Sequence, residues 1–409
     1  MSQPNCQKIV IVGAGHGGCS VAAYLRQYGF DGKIDLIGAE SVPPYQRPPL
    51  SKAWMKGETT IEALALKPVA FYETEKIQLH LGMLVNQIDV NNFSVRLANG
   101  ATISYDRLIL ATGSEARSLP MDGTQFENVL SLRTLHDADR LRAVLLPGKK
   151  LVIIGGGYVG LECAATARAL GVDVVLIERS NRILERVASK DISDFLQKFH
   201  EDRGVVIKTG AELLSIKGEH SAESVALKDG QTFLCDAVLV GVGANPTTAL
   251  AVETGLTCND GVTVDADCRT SNPHIFAIGD VAKRPHDLYG CALRLESVPS
   301  VLEQAKRVAS VLSGRVPAAA EVPWFWSDQF ELKLQMTGLL AGATNSLVRG
   351  DPAQSKFAVY HLYGGCVIAV EAVNSPQDFL AGKKLIAMKK VVDIASLSNP
   401  QIPLANLLN

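Results

Sequence analysis

The chain has 409 residues, 47% hydrophobic and 20% charged, with 40 Lys and Arg against 42 Asp and Glu. That length accommodates two to four domains of about 100–200 residues, and a net charge of −2 excludes a protein built to coat nucleic acid or an anionic membrane. No apolar run approaches the roughly 20 residues that span a bilayer, and the opening MSQPNCQKIVIVGAG lacks the regions of a secretory signal, so a soluble cytoplasmic protein is expected.

In chain order, Lys8–Val12 (KIVIV) is a β-branched run that predicts a strand buried on both faces. It meets Gly13-Ala14-Gly15-His16-Gly17-Gly18, followed by a helical stretch, CSVAAYLRQYG, that closes at Gly29. A second strand is predicted over Lys33–Ile37. Phe93–Leu97, with the turn signal Asn99-Gly100, precedes an apolar strand at Arg107–Leu110 that ends in Ala111-Thr112-Gly113. The same grammar then returns: Lys150–Ile154 (KLVII), Gly155-Gly156-Gly157-Tyr158-Val159-Gly160, the helix LECAATARAL, Gly171 and the strand Val174–Ile177. Ser224–Leu227, with Asp229-Gly230, precedes Ala237–Val240 and Gly241-Val242-Gly243. Thr270–Asp280 (TSNPHIFAIGD) reads as a buried strand ending in Gly-Asp. After Pro317 the character changes, with two of the 3 tryptophans and strand-like runs at Phe357–Leu362 and Val367–Val370.

Two βαβ units predict an α/β protein with two Rossmann-like domains and a C-terminal α+β domain. The first domain is expected in two pieces, residues 1–113 and 247–316. The second, residues 114–246, lies between them, and residues 317–409 form the third.

A G-x-G-x-x-G loop lets backbone N–H groups approach a pyrophosphate, and the helix N-terminus behind it favours the negative charge. Two such loops imply two dinucleotides, most simply a flavin and a nicotinamide. At the second loop, Gly155, Gly157, Tyr158, Gly160 and Gly243 are the candidate contacts. Glu178 ends the following strand about twenty residues on, where an acid accepts hydrogen bonds from both ribose hydroxyls of NADH and repels the 2′-phosphate of NADPH. Arg179 and Arg182 work against that preference. The first loop, with Gly13, Gly15, Gly17 and Gly18, is then the FAD site. Asp280 is placed to accept from a ribityl hydroxyl, although an ordinary turn aspartate would look the same.

The 8 cysteines form no C-x-x-C or C-x4-C pair and match no zinc or iron–sulfur spacing, and the 8 histidines are equally dispersed. No intrinsic metal site is expected.

Taken together, IVIVGAGHGG, YQRPPLSK (45–52), LILATG, SLRTLHDA, IGGGYVGLE, IFAIGD, RLESVPSVLEQA and PWFWSDQ (323–329) resemble the FAD-dependent NADH:ferredoxin reductases of oxygenase systems, within the pyridine nucleotide-disulfide oxidoreductase superfamily. The resemblance covers nearly the whole chain and implies a glutathione-reductase-like fold. It implies that Lys52 lies beside the flavin N5 with Glu162 as its partner, an exposed helix residue being the alternative for Glu162. Tyr158 is similar to the tyrosine that covers the flavin until nicotinamide displaces it. Val85, Thr112, Arg133, Asp280 and Val298 match flavin contacts. Ala39 stands where relatives carry an acid for the adenosine ribose, a contact that Glu40 or a backbone group would take over. Trp326 is expected at the flavin edge and Trp324 in the core of its domain.

Without a cysteine pair beside the flavin, electrons must leave the chain. The resemblance implies a two-iron ferredoxin as acceptor, supplying a haem monooxygenase or a Rieske dioxygenase, with Lys306, Arg307 and Lys333 as docking candidates. A rubredoxin is a variant of the same reading. An NADH oxidase is disfavoured because Ser41-Val42-Pro43-Pro44-Tyr45 contains no cysteine. A redox-gated interaction protein is disfavoured because basic insertions and a targeting segment are missing.

Overall fold

The computed structural model describes residues 6–408. Contacts divide the chain into two units: residues up to 46, 60–115 and 245–321 form one, and 47–59, 116–244 and 322–409 the other.

The first unit is built on a five-stranded parallel sheet in the order Ile275–Ala277, Arg107–Leu110, Lys8–Val12, Lys33–Gly38, Ile77–Leu81. Ile9 pairs with both Ile34 and Arg107 across the central strand. Ile9, Val10 and Ile11 are completely buried, in one core with Val21, Ala22 and Leu25 and with Val95 and Leu97. Helix His16–Gln27 packs against helix Val298–Leu312. An antiparallel meander of Val85–Asp89, Ser94–Leu97 and Thr102–Ser104 adds a small separate sheet.

The second unit repeats the design. Its parallel sheet runs Val205–Lys208, Asp173–Ile177, Lys150–Ile154, Ala237–Val240, Val129–Leu130. It also contains a five-stranded antiparallel sheet in the order Trp324–Gln329, Leu332–Gly338, Cys366–Val373, Lys356–Tyr363, Asn345–Asp351, packed on helix Pro376–Met388. Leu332, Leu334, Met336 and Phe357 of that sheet share one core with Leu161, Cys163 and Leu176 of the nucleotide fold. Helix Tyr158–Ala169 is therefore covered on both sides, which explains why its sequence is apolar all round.

Residues 47–59 make their contacts within this second unit. Met55 enters its core, Trp54 Nε1 donates to Asp139 Oδ1 at 2.8 Å, and Thr166 Oγ1 donates to the Ser51 carbonyl at 2.8 Å. No helix among the described residues is long and apolar enough to cross a membrane.

Candidate functional site

The two glycine loops have nearly the same geometry. Gly13 N–H donates to the Ile37 carbonyl and Gly155 N–H to the Ile177 carbonyl, each at 2.8 Å. Their φ angles are +109° and +108°, and a Cβ would stand 2.2 Å from the Ala111 carbonyl oxygen or 2.3 Å from that of Gly241. Only glycine fits. A Cβ on Gly18 would meet the Gly13 oxygen at 1.9 Å, and one on Gly160 the Gly155 oxygen at 2.4 Å. These close approaches seat each 12-residue helix directly behind its loop. The helices start at His16 after Gly15 and at Tyr158 after Gly157, with no side-chain cap and no acidic residue in the first turn. Two uncapped helix N-termini, each behind a cradle that a Cβ would fill, fit two pyrophosphates.

Around the first loop, Thr112 Oγ1 donates to the Thr247 carbonyl at 2.9 Å, and Ser114 Oγ donates to Asp280 Oδ2 at 3.0 Å. Asp280 lies in a turn whose Gly279 N–H donates to Gln304 Oε1 at 2.8 Å. Val85 is buried in the core, and Val298 opens helix Val298–Leu312 behind the Ser297 cap. Ala39 is exposed. The neighbouring Glu40 carboxylate accepts from the Tyr45 hydroxyl at 2.6 Å.

At the second loop, Glu178 folds back on the glycines. Its Oε2 accepts from Gly156 N–H and its Oε1 from Ser180 N–H, both at 2.7 Å. Gly157 and Gly243 would carry a Cβ into open space. Arg182 is consumed by the fold, donating to the carbonyls of Ala188, Ser189 and Glu185 and to Ser193 Oγ. Arg179 is exposed.

The second unit also assembles a charged cluster on the buried face of helix Tyr158–Ala169. Lys52 Nζ lies 2.6 Å from Glu162 Oε2 and 3.2 Å from the Pro48 carbonyl. Ser51 Oγ donates to the same carboxylate oxygen at 2.6 Å, and Ser327 Oγ donates to Oε1 at 2.6 Å. Glu162 is 7% exposed, so the alternative of an exposed helix residue is ruled out. Burial and the nearby Glu162 carboxylate push the Cys163 thiol far up, leaving it unreactive. All eight cysteines are free thiols.

Strand Trp324–Gln329 organises the rest by simple alternation. Phe325, Ser327 and Gln329 point one way: Phe325 packs edge-on against Tyr158 with centroids 5.0 Å apart, Ser327 meets Glu162, and Gln329 meets His200. Trp324, Trp326 and Asp328 point the other way into an open groove of about 540 Å³ shared with Lys333 and Asn374. The two indoles lie 5.8 Å apart, and Trp324 also packs on Phe379. The Tyr158 hydroxyl is buried without a hydrogen-bond partner, and burial together with Glu371 raises its pKa well above that of a free phenol. An orphaned hydroxyl at the head of the nucleotide-binding helix fits a side chain that moves when a ligand arrives.

Arg133 belongs to the second unit. Its carbonyl accepts from Arg47 Nη1 at 2.5 Å, and its N–H donates to Asp137 Oδ2 at 3.1 Å. Lys333 and Lys306 are exposed, the latter over the Tyr24 ring at 5.8 Å. Arg307 is engaged by Glu303, Asp267 and the Ala318 carbonyl and has little exposed surface. Sequence reading missed Ser51, Ser327, Gln329 and His200. The one available hint was the polar S-D-Q run following W-F-W in a strand.

The pyridine nucleotide-disulphide oxidoreductase family matches residues 7–305, and a reductase C-terminal family matches residues 324–408. The chain belongs to the pyridine nucleotide-disulphide oxidoreductases. It is an oxidoreductase whose cofactors are FAD and NAD(P)H. The chain is 44% identical over 403 residues to a probable ferredoxin reductase, CtmF, of Castellaniella defragrans, covering 98% of each. It is 39% identical over 406 residues to putidaredoxin reductase CamA of Pseudomonas putida, covering 98% of this chain and 96% of the other. Among solved structures, the covalent putidaredoxin reductase–putidaredoxin complex matches with a TM-score of 0.96 and 39% identity, covering 99% of both chains. The fold is that of the glutathione-reductase-like enzymes with an added C-terminal domain.

Proposed function

We propose that the protein takes hydride from NADH onto FAD and passes single electrons to a small two-iron ferredoxin, which supplies a haem monooxygenase. The observation that carries the reading is the Lys52–Glu162 pair, 2.6 Å apart, in which Glu162 is buried and Lys52 is partly exposed. Held at the flavin N5, the Lys52 ammonium would stabilise the negative charge that the ring gains on reduction. When bound, FAD accepts two electrons together and releases them one at a time.

Lys52 holds its ammonium in one place because Glu162 and the Pro48 carbonyl anchor it. Tyr158 is the side chain that nicotinamide displaces. The preference for NADH rests on Glu178, whose carboxylate already lies at the pyrophosphate loop. It is supported by Arg182, whose donors are spent within the fold. In this reading residues 1–113 with 247–316 carry FAD, 114–246 carry NADH, and 317–409 present the acceptor surface, in a cytoplasmic enzyme.

With no paired thiols in the chain, the electrons go to a partner. The name of the first relative, a probable ferredoxin reductase, supports a ferredoxin. Lys333, beside Trp326 in the groove, is the cation assigned to an acidic partner, and exposed Lys306 is a second. Arg307, tied up by two carboxylates, contributes field rather than contact.

The test is anaerobic. NADH should bleach the flavin band of the purified holoenzyme within the mixing time of a stopped-flow instrument. The reduced protein should then reduce two-iron ferredoxins faster than rubredoxins. A protein that NADH leaves oxidised sinks the reading, and faster transfer to rubredoxin replaces the acceptor.

A further inference from the structure

Glu162 stands at one end of a hydrogen-bonded chain that a simple Lys–Glu pair does not require. Its Oε1 accepts from Ser327 Oγ at 2.6 Å, Gln329 Nε2 lies 3.1 Å from that Oγ, and Gln329 Oε1 lies 2.8 Å from His200 Nε2. Ser327, Gln329 and His200 are each 0% exposed.

Donor and acceptor counting dictates the polarity. An ionised carboxylate only accepts, so Ser327 spends its single hydrogen on Glu162 and accepts from the Gln329 amide. That turns the Gln329 carbonyl toward His200, whose proton must then sit on Nε2. The other ring nitrogen, Nδ1, is buried with no partner, as expected of a bare acceptor. Burial lowers the imidazole pKa to about 4, with Arg203 nearby acting in the same direction. The ring is therefore neutral at pH 7, and every donor in the chain points toward Glu162.

The members come from three elements: helix Tyr158–Ala169, helix Lys190–Glu201 and strand Trp324–Gln329. Apolar side chains would fill this space without the desolvation that four buried polar groups incur. We infer that Ser327, Gln329 and His200 are positioning residues for hydride transfer: they hold Glu162 as an anion in the one orientation that fixes the Lys52 ammonium. This rests on the assignment of Lys52 to the flavin N5.

The first test reads the chain itself. In holoenzyme labelled with ¹⁵N-histidine, NMR should show His200 as the neutral Nε2–H tautomer from pH 7 down to about 5. An Nδ1–H tautomer, or a ring titrating near 6.5, overturns the proposal whatever the flavin does. The second test reads its consequence. Ser327→Ala and Gln329→Leu should slow FAD reduction by NADH about ten- to a hundredfold while leaving the Kd for NADH within about twofold. Both should lower the midpoint potential of the bound FAD, because the reduced ring loses a fixed cation. Ser327→Thr, which keeps the hydroxyl, should restore both.

Parental rate and potential in the first two variants, with both lowered in Lys52→Met, would overturn the positioning role alone. Parental values in Lys52→Met as well would overturn the Lys52 assignment and the proposal with it. If Ser327→Ala fails to fold, Gln329→Leu and the NMR measurement decide.

Discussion

Acid should weaken the second unit through His200, and His200→Gln should remove that component. The imidazole titrates at about 4 in the folded protein against 6.5 when free. Between those values the unfolded chain binds a proton that the folded one refuses, so stability is lost as pH falls from 6.5 toward 4. Below that both states are protonated and the loss stops. The full difference is worth about 3 kcal/mol, most of it already lost at about pH 4.5. A glutamine at position 200 keeps an amide N–H for Gln329 but does not titrate. The assay is urea unfolding at pH 7 and 4.5, followed by tryptophan fluorescence. Trp54, Trp324 and Trp326 all belong to the second unit, so the signal reports that unit alone. The variant is expected to be less stable than the parent at pH 7, with the gap closing by about 2 kcal/mol at pH 4.5. Parallel losses in the two proteins would refute a neutral buried His200.

Three further outcomes are expected. Glu178→Ala should raise the KM for NADH about ten- to a hundredfold and that for NADPH less, since the lost bonds to Gly156 and Ser180 N–H affect both cofactors while the ribose acceptor is lost for NADH alone; steady-state kinetics with both cofactors check this, and equal changes reject the specificity argument. Gly160→Ala, whose Cβ would stand 2.4 Å from a backbone oxygen, should abolish reduction by NADH while the purified protein keeps its yellow FAD, because the first loop is untouched. Lys333→Glu should raise the KM for a two-iron ferredoxin about tenfold at low salt, with the difference shrinking as ionic strength rises, and should leave FAD reduction by NADH unchanged; stopped-flow reduction at two salt concentrations separates the steps.

Features that depend on local chain geometry were legible in the sequence. A β-branched run, a glycine loop and a helix lie within about thirty residues of one another, so both nucleotide cradles could be read directly, down to glycines that no other residue can replace. The dispersal of the 8 cysteines was equally plain. Features that depend on which side chain meets which were not. Arg182 and Arg307 read as free cations, yet the fold spends one on backbone carbonyls and the other on Glu303 and Asp267. Residues 47–59 read as part of the first domain, but Met55 and Trp54 find their partners in the second unit.

The Glu162 network shows the division most sharply. Glu162 was marked by the motif that carries it, but Ser51, His200, Ser327 and Gln329 are ordinary polar residues scattered along the chain, with only the S-D-Q run as a hint. Helix Tyr158–Ala169 becomes buried on both sides only when the antiparallel sheet packs on the nucleotide fold. That burial is what forces its one carboxylate to find a lysine and two serines, and it is a property of the packed layers rather than of any segment. The sequence by itself determined two dinucleotide cradles and the need for an outside electron acceptor. Tertiary structure decided which charges remain free to serve them.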